Sequence, residues 1–218
     1  VMAVALIGGI VDLPLSWYRQ FRLEERFGFN RMTVRLWIAD LLKGFAVSVV
    51  LGLPLLAGVL ALMRSAGSGW WLWAWLLWVG FNLAVLVLYP TVIAPLFNKF
   101  EPMPDGPVRT RVEALLARCG FTSRGLFVMD GSRRSAHGNA YFTGLGRAKR
   151  IVFFDTLLNR LNGEEVEAVL AHELGHFRRR HIAKRMVVTF GLSAAGLWLL
   201  AWLATRPWFY QEIGRAHV

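Results

Sequence analysis

The 218-residue chain has a single cysteine and, over long stretches, no charge at all. One thiol, Cys119, excludes an internal disulfide framework. It stands near the end of an amphipathic helical pattern, where a buried small hydrophobe is its expected role. Between Arg64 and Lys99 no Asp, Glu, Lys or Arg occurs, so Ser65 to Asn98 is uncharged. Phe45–Met63 and Met186–Thr205 lack charge as well, and Val1–Leu15 carries only Asp12. About 20 apolar residues cross a bilayer as a helix. Several such stretches exclude an ordinary soluble domain and predict a multi-pass membrane protein. No initiator Met or basic leader precedes Val1, so no signal peptide is read there. No internal repeat or low-complexity segment is evident.

What is present is apolar and basic. Hydrophobic residues make up 56% of the chain, ten residues are Trp, and 25 Lys and Arg face 14 Asp and Glu, for a net charge of +11. Such a charge is compatible with nucleic acid, but many of the basic residues flank the uncharged stretches, so membrane topology accounts for them and no nucleic-acid partner is expected. The partner they imply is the lipid bilayer. The resulting layout is a partial transmembrane helix at 1–15, a basic connection at 16–44, transmembrane helices at 45–63 and 70–97 around a short link at 64–69, a polar domain at 98–185, and a transmembrane helix at 186–205. Most of the Lys and Arg lie in 16–44 and 98–185, which the positive-inside bias places on the cytoplasmic face, with 64–69 outside. A bacterial inner membrane is the expected setting. Trp70, Trp71, Trp73 and Trp75 fit an interfacial aromatic belt or packing between helices. At the far end, Ile213-Gly-Arg-Ala-His-Val218 matches the translation of a common sequencing adapter, so residues 212–218 are expected to be non-coding in origin, the true chain continuing beyond Gln211.

The polar domain carries helix and strand signals together. Pro107 opens a helical pattern through Leu115 and Leu116 that stops at Cys119-Gly120. Gly125–Asp130 reads as a strand. Asn139–Thr143 and Lys149–Phe154 read as two more, joined by a turn at Gly144-Leu-Gly146. Asn162-Gly-Glu-Glu165 has the spacing of a capping box and predicts a helix running through Leu170 and onward, reaching toward His181.

That helix holds His172-Glu173-Leu174-Gly175-His176. Two histidines four apart share one helical face within reach of a single ion, and neutral imidazoles suit Zn²⁺. Glu173, next to the first ligand, is placed to take a proton from a water attacking a peptide carbonyl and to pass it to the leaving amine. The alternative is a helix with two surface histidines and a surface glutamate. Gly175 weighs against it, because glycine inside a helix costs about 1 kcal/mol relative to Ala, and room for a close neighbour would explain its presence. Two histidines and a water leave zinc one ligand short. Past His176 the only acidic residue is Glu212, and His181, five residues on, fits the shared face poorly and reads as a neighbouring or surface residue. The chain alone is therefore expected to be inactive.

Several further stretches carry a resemblance. Glu24-Glu-Arg-Phe-Gly-Phe-Asn30 with Thr33, Ile93-Ala-Pro-Leu-Phe-Asn-Lys-Phe100, Arg134-Ser-Ala-His-Gly-Asn-Ala-Tyr-Phe-Thr-Gly144 and Lys149-Arg-Ile-Val-Phe-Phe-Asp-Thr156 are similar, in this order, to signatures of the type I CAAX prenyl endopeptidases, integral-membrane zinc proteases. The resemblance spans about residues 20–205. It implies a mainly α fold, a polytopic transmembrane helical bundle with a cytoplasmic α+β zinc metalloprotease domain, enclosing a hydrophilic chamber. It implies His172 and His176 as zinc ligands, Glu173 as the base, and His137, Asn139, Ala140 and Tyr141 as substrate-binding residues, with the strand adding substrate backbone along its edge. The family's third ligand, a glutamate on a later helix, is absent here. The expected function is hydrolysis of peptides or membrane-associated proteins. A catalytically inactive scaffold or chaperone of the same fold is the runner-up, and the intact His-Glu-His set argues against it. A transporter would need more polar groups within its spans than these stretches offer, Asn82 being the clearest.

Overall fold

The computed structural model describes residues 2–121, 125–143, 150–178 and 181–209, and for residues 2–6, 176–178, 181 and 182 it describes the backbone alone. The expected turn at Gly144–Gly146, Lys149 and the 212–218 tail lie outside the described residues, as do the side chains of His176 and His181.

Long helices dominate. Helix α1 (Met2–Tyr18) continues through one π turn into the short α2 (Glu24–Arg26). Helix α3 (Val34–Ser65) begins well before the uncharged stretch at Phe45, because absence of charge marks membrane depth and not the helix itself. Thr33 caps it, its Oγ1 accepting the Leu36 amide at 3.3 Å. Helix α4 (Trp70–Leu88) passes through a π turn at Tyr89–Ile93 into α5 (Ala94–Phe97). Pro90 interrupts the helical ladder there, and the Thr91 hydroxyl turns back to the carbonyls of Val87 and Leu88, restoring partners at membrane depth. Among the described residues, three segments are long and apolar enough to cross a membrane: Val34–Ser65, Gly67–Phe97 and Ala183–Leu203. The chain is a mostly helical, multi-pass integral-membrane protein.

Two compact units emerge, Val1–Lys43 with Ala94–Glu173, and Gly44–Ile93 with Leu174–Val218. In the second, α4 packs on α9 (His181–Leu203). The Trp75 indole donates to the Phe190 carbonyl at 3.0 Å, and Trp78 meets the Phe190 ring edge-on at 5.6 Å. Trp75 thus packs between helices, while Trp73 is exposed. The Asn82 amide is absorbed within its own helix by the Trp78 carbonyl at 2.8 Å. Where α3 meets α4, a Cβ on Gly58 would lie 2.8 Å from Leu77 Cδ2, so a small residue permits the approach.

The first unit is built on a sheet of order β1-β2-β4-β3. Strand β1 (Phe100–Pro102) pairs antiparallel with β2 (Leu126–Met129), β2 pairs parallel with β4 (Arg150–Phe154), and β3 (Ala140–Thr143) pairs antiparallel with β4. Sequence patterning missed β1, which is short and lacks alternation. Ile151, Val152 and Phe153 of β4 are almost fully buried, as is Val112 of α6 (Pro107–Arg118). Helix α6 ends as expected: the Gly120 amide reaches the Ala117 carbonyl and the Phe121 amide that of Leu116, closing a Schellman turn. Cys119, however, is exposed. The apolar stripe of α6 closes at Val112, Leu115 and Leu116, and at Cys119 the chain already turns away, so the expectation of a buried thiol is corrected. The short α7 (Asp155–Leu158) follows β4, and α8 (Gly163–Arg178) follows α7.

Candidate active site

The capping box that starts α8 is complete. Asn162 Oδ1 accepts the amides of Glu164 and Glu165 at 3.0 Å, and the Glu165 carboxylate accepts the Asn162 amide at 2.8 Å. Val166, Leu170 and Leu174, each four apart, form the buried stripe of the helix. At 3.6 residues per turn, residue 172 falls roughly 160° around the helix from that stripe and residue 176 roughly 120°. His172 is exposed and Glu173 half-buried. The anchored stripe therefore leaves the two histidine positions together on the opposite face, one turn apart, with Glu173 at the flank. Space beside Gly175 is open, with no atom within 4 Å of a Cβ built there. The close neighbour that would explain this glycine is thus not among the described residues. Neither is any cluster of three or more His, Cys, Asp or Glu.

The second group of candidate residues surrounds β3, which is an edge strand. The Asn139 carbonyl accepts the Phe154 amide at 2.9 Å, so residue 139 belongs to the hydrogen-bonding set that faces β4. Alternation then turns the backbone groups of Ala140 and Phe142 outward, to an edge that no described strand occupies. The Asn139 side chain already meets one of these groups, its Oδ1 accepting the Ala140 amide at 2.8 Å. Ala140 is buried, and the Tyr141 ring lies edge-on to Phe154 at 6.1 Å.

His137 is engaged elsewhere. Its Nε2 lies 3.0 Å from Glu24 Oε2, and its ring stacks on Phe29 at 4.1 Å. Because a carboxylate only accepts, the ring nitrogen donates. His137 thus serves to hold the Glu24–Asn30 segment against the approach to β3. Gly28, at φ 71, makes the tight turn that lets Phe29 and Asn30 return their amides to the Glu24 carbonyl. Phe29 and Arg31 then form backbone hydrogen bonds with Ala136 and Arg134. Asn30 is triply held, by Gln20, Glu25 and the Met32 amide.

Arg134, which sequence reasoning left without a role, is the hub of this region. Its guanidinium donates to both carboxylate oxygens of Asp40 at 2.8 and 3.0 Å, to Asn98 Oδ1 at 2.8 Å and to the Phe97 carbonyl. Asp40 was also missed. Its signal was a lone acid between Arg35 and Lys43, just ahead of an uncharged stretch. On the other side, the Thr156 hydroxyl donates to the His137 carbonyl at 2.8 Å, and Asp155 accepts the Ser132 amide at 2.8 Å as well as the Ser132 hydroxyl. The other three sequence signatures therefore converge on residues 132–137, where the Arg134–Gly144 signature begins and leads into β3.

Comparison with known proteins gives a consistent result. Residues 1–99 match the profile of the CAAX prenyl protease N-terminal region, described as five membrane helices, and residues 102–214 match peptidase family M48. The chain is 44% identical to CAAX prenyl protease 1 of Saccharomyces cerevisiae over 82% of its own length and 40% of the relative's. To the Dictyostelium discoideum CAAX prenyl protease 1 homolog it is 41% identical, over 94% of its length and 48% of the relative's. The crystal structure of S. mikatae Ste24p superposes with a TM-score of 0.87 at 39% identity, covering 92% of this chain and 47% of that one. The chain thus spans about half the length of the curated relatives it matches.

Proposed function

We propose, for this chain, which belongs to peptidase family M48 and carries the N-terminal region of the CAAX prenyl proteases, the function of a zinc endopeptidase working at the cytoplasmic membrane face. M48 is a metallopeptidase family. The single observation that carries the zinc reading is the placement of residues 172 and 176 on the face of α8 opposite its buried Val166-Leu170-Leu174 stripe.

Two imidazoles at this spacing fit a zinc ion, and His172 and His176 would hold it. When bound, zinc supplies Lewis acidity toward the water and the scissile carbonyl. Glu173 takes the proton of the attacking water and delivers it to the leaving amine. Its half-buried position at the flank of the helix suits a base beside the metal and not a third ligand. That third ligand is assigned to the part of the protein beyond this chain. The relatives are about twice as long, and past His176 the only acidic residue is Glu212. Residues 1–218 alone are accordingly expected not to cleave.

Substrate enters as a strand along β3. The outward backbone edge of β3 at Ala140 offers pairing partners, and such pairing gives affinity with little dependence on side chains. Asn139 would release the Ala140 amide to the peptide, Tyr141 holds the strand against Phe154, and His137 fixes its approach by way of Glu24 and Phe29. The relatives' names point to prenylated C-terminal peptides as one substrate class; other peptides and membrane-associated proteins share the backbone chemistry.

Glu173→Gln in the full-length protein tests the assignment. Cleavage of a model peptide should fall by about 100- to 10,000-fold, the usual loss for a general acid–base group, with the protein still folded. Unchanged cleavage removes Glu173 from its role.

A further inference from the structure

A second polar site lies in the same unit. Arg31, Ser132, Ser135, Thr156, Asn159 and Arg160 line, with Ala136, a pocket of about 220 Å³. At about 30 Å³ per water, this is room for a tetrahedral oxyanion with several waters.

The charge balance of the pocket is one-sided. Arg109, Arg111, Arg118, Arg133 and Arg134 all have carboxylate partners. Among the described residues, neither Arg31 nor Arg160 makes a side-chain ion pair or hydrogen bond. No carboxylate lines the pocket. The nearest acid in the network, Asp155, is turned to the Ser132 amide and hydroxyl and to the Thr156 amide.

The neutral donors follow the same pattern. Ser135 Oγ accepts the His137 amide at 3.2 Å, which leaves its own proton for another acceptor. Among the described residues the Asn159 side chain has no partner, so its NH₂ is available too. The Ser132 and Thr156 hydroxyls are committed, to Asp155 and to the His137 carbonyl. Two guanidiniums, each with five donors in a planar fork, together with a hydroxyl and an amide, form a donor set matched to phosphate oxygens.

We propose that this pocket binds a phosphate-class oxyanion, with Arg31 and Arg160 supplying the charge and Ser135 and Asn159 the neutral donors. The assignment is independent of the zinc chemistry. The pocket is walled by Ser135 and Ala136, and the Ala136 amide donates to the Phe29 carbonyl of the Glu24–Asn30 segment, so occupancy of the pocket stabilises the approach to β3.

The test uses purified full-length protein in neutral detergent, titrated calorimetrically with inorganic phosphate and, separately, with dihexanoyl phosphatidic acid. Saturable binding of one probe per chain is expected, weakened at least tenfold in Arg31→Gln/Arg160→Gln and unchanged in Arg111→Gln. Tighter binding of the lipid probe assigns the anion to a headgroup, and equal or tighter binding of inorganic phosphate assigns it to a soluble source. Arg31→Lys/Arg160→Lys keeps the charge and guards against misfolding; it should bind more weakly than wild type yet remain competent. No saturable binding to the wild type, or equal weakening by Arg111→Gln, overturns the proposal.

Discussion

Two regions of this protein exclude water by opposite means. The sheet and helices α6 and α8 hide apolar residues inside, with Ile151, Phe153, Val166 and Leu170 at 0% exposure. The membrane spans do the reverse: within them, none of the most apolar windows is buried by the protein itself, and Val187 and Leu192 stand 72% and 70% exposed. In the first region, stability comes from close packing and satisfied polar groups. In the second, lipid solvates the side chains, and the helices associate through close backbone approach, as at Gly58, and through single polar contacts such as Trp75 to Phe190. The same residue type therefore carries different weight in the two places.

Substitutions at matched positions can break that contrast. Phe153→Ala should cost about 3–5 kcal/mol and lower the thermal unfolding temperature of the full-length protein in detergent. Leu192→Ala, its counterpart on the lipid face, should stay within about 0.5 kcal/mol of wild type; equal effects at the two sites would erase the distinction.

Next in size is Arg134→Gln, which leaves Asp40 half-buried without its partner. A loss of about 1–3 kcal/mol is expected, together with faster amide exchange in residues 29–31 and 134–136, whose backbone hydrogen bonds lie beside it. Smaller again is Asn162→Ala, which removes the cap of α8 at about 1 kcal/mol, read as a modest fall in unfolding temperature.

The sequence made these regions legible to different degrees, for physical reasons. Spans are visible because the bilayer forbids charge over a known length, which left only their ends uncertain: α3 extends ahead of the uncharged stretch and starts at Val34, where Thr33 caps it. The α8 cap was readable because both partners sit within four residues. So was the end of α6, although its Cys119 proved exposed, since periodicity does not reveal where a chain leaves the core. Strand β1 and the parallel pairing of β2 with β4 were not legible, because they join segments far apart in the chain. The role of Arg134 was hidden for the same reason. Its partners, Asp40 in α3 and Phe97 and Asn98 at the end of α5, are far away in the chain, and no local spacing records their meeting.

Zinc analysis of the full-length protein, comparing wild type with Glu173→Gln and His172→Ala/His176→Ala, tests the central claim most directly. One zinc per chain is expected in the wild type, full zinc without cleavage in Glu173→Gln, and loss of both in the double histidine variant. Zinc retained at wild-type level in a folded His172→Ala/His176→Ala protein would contradict it.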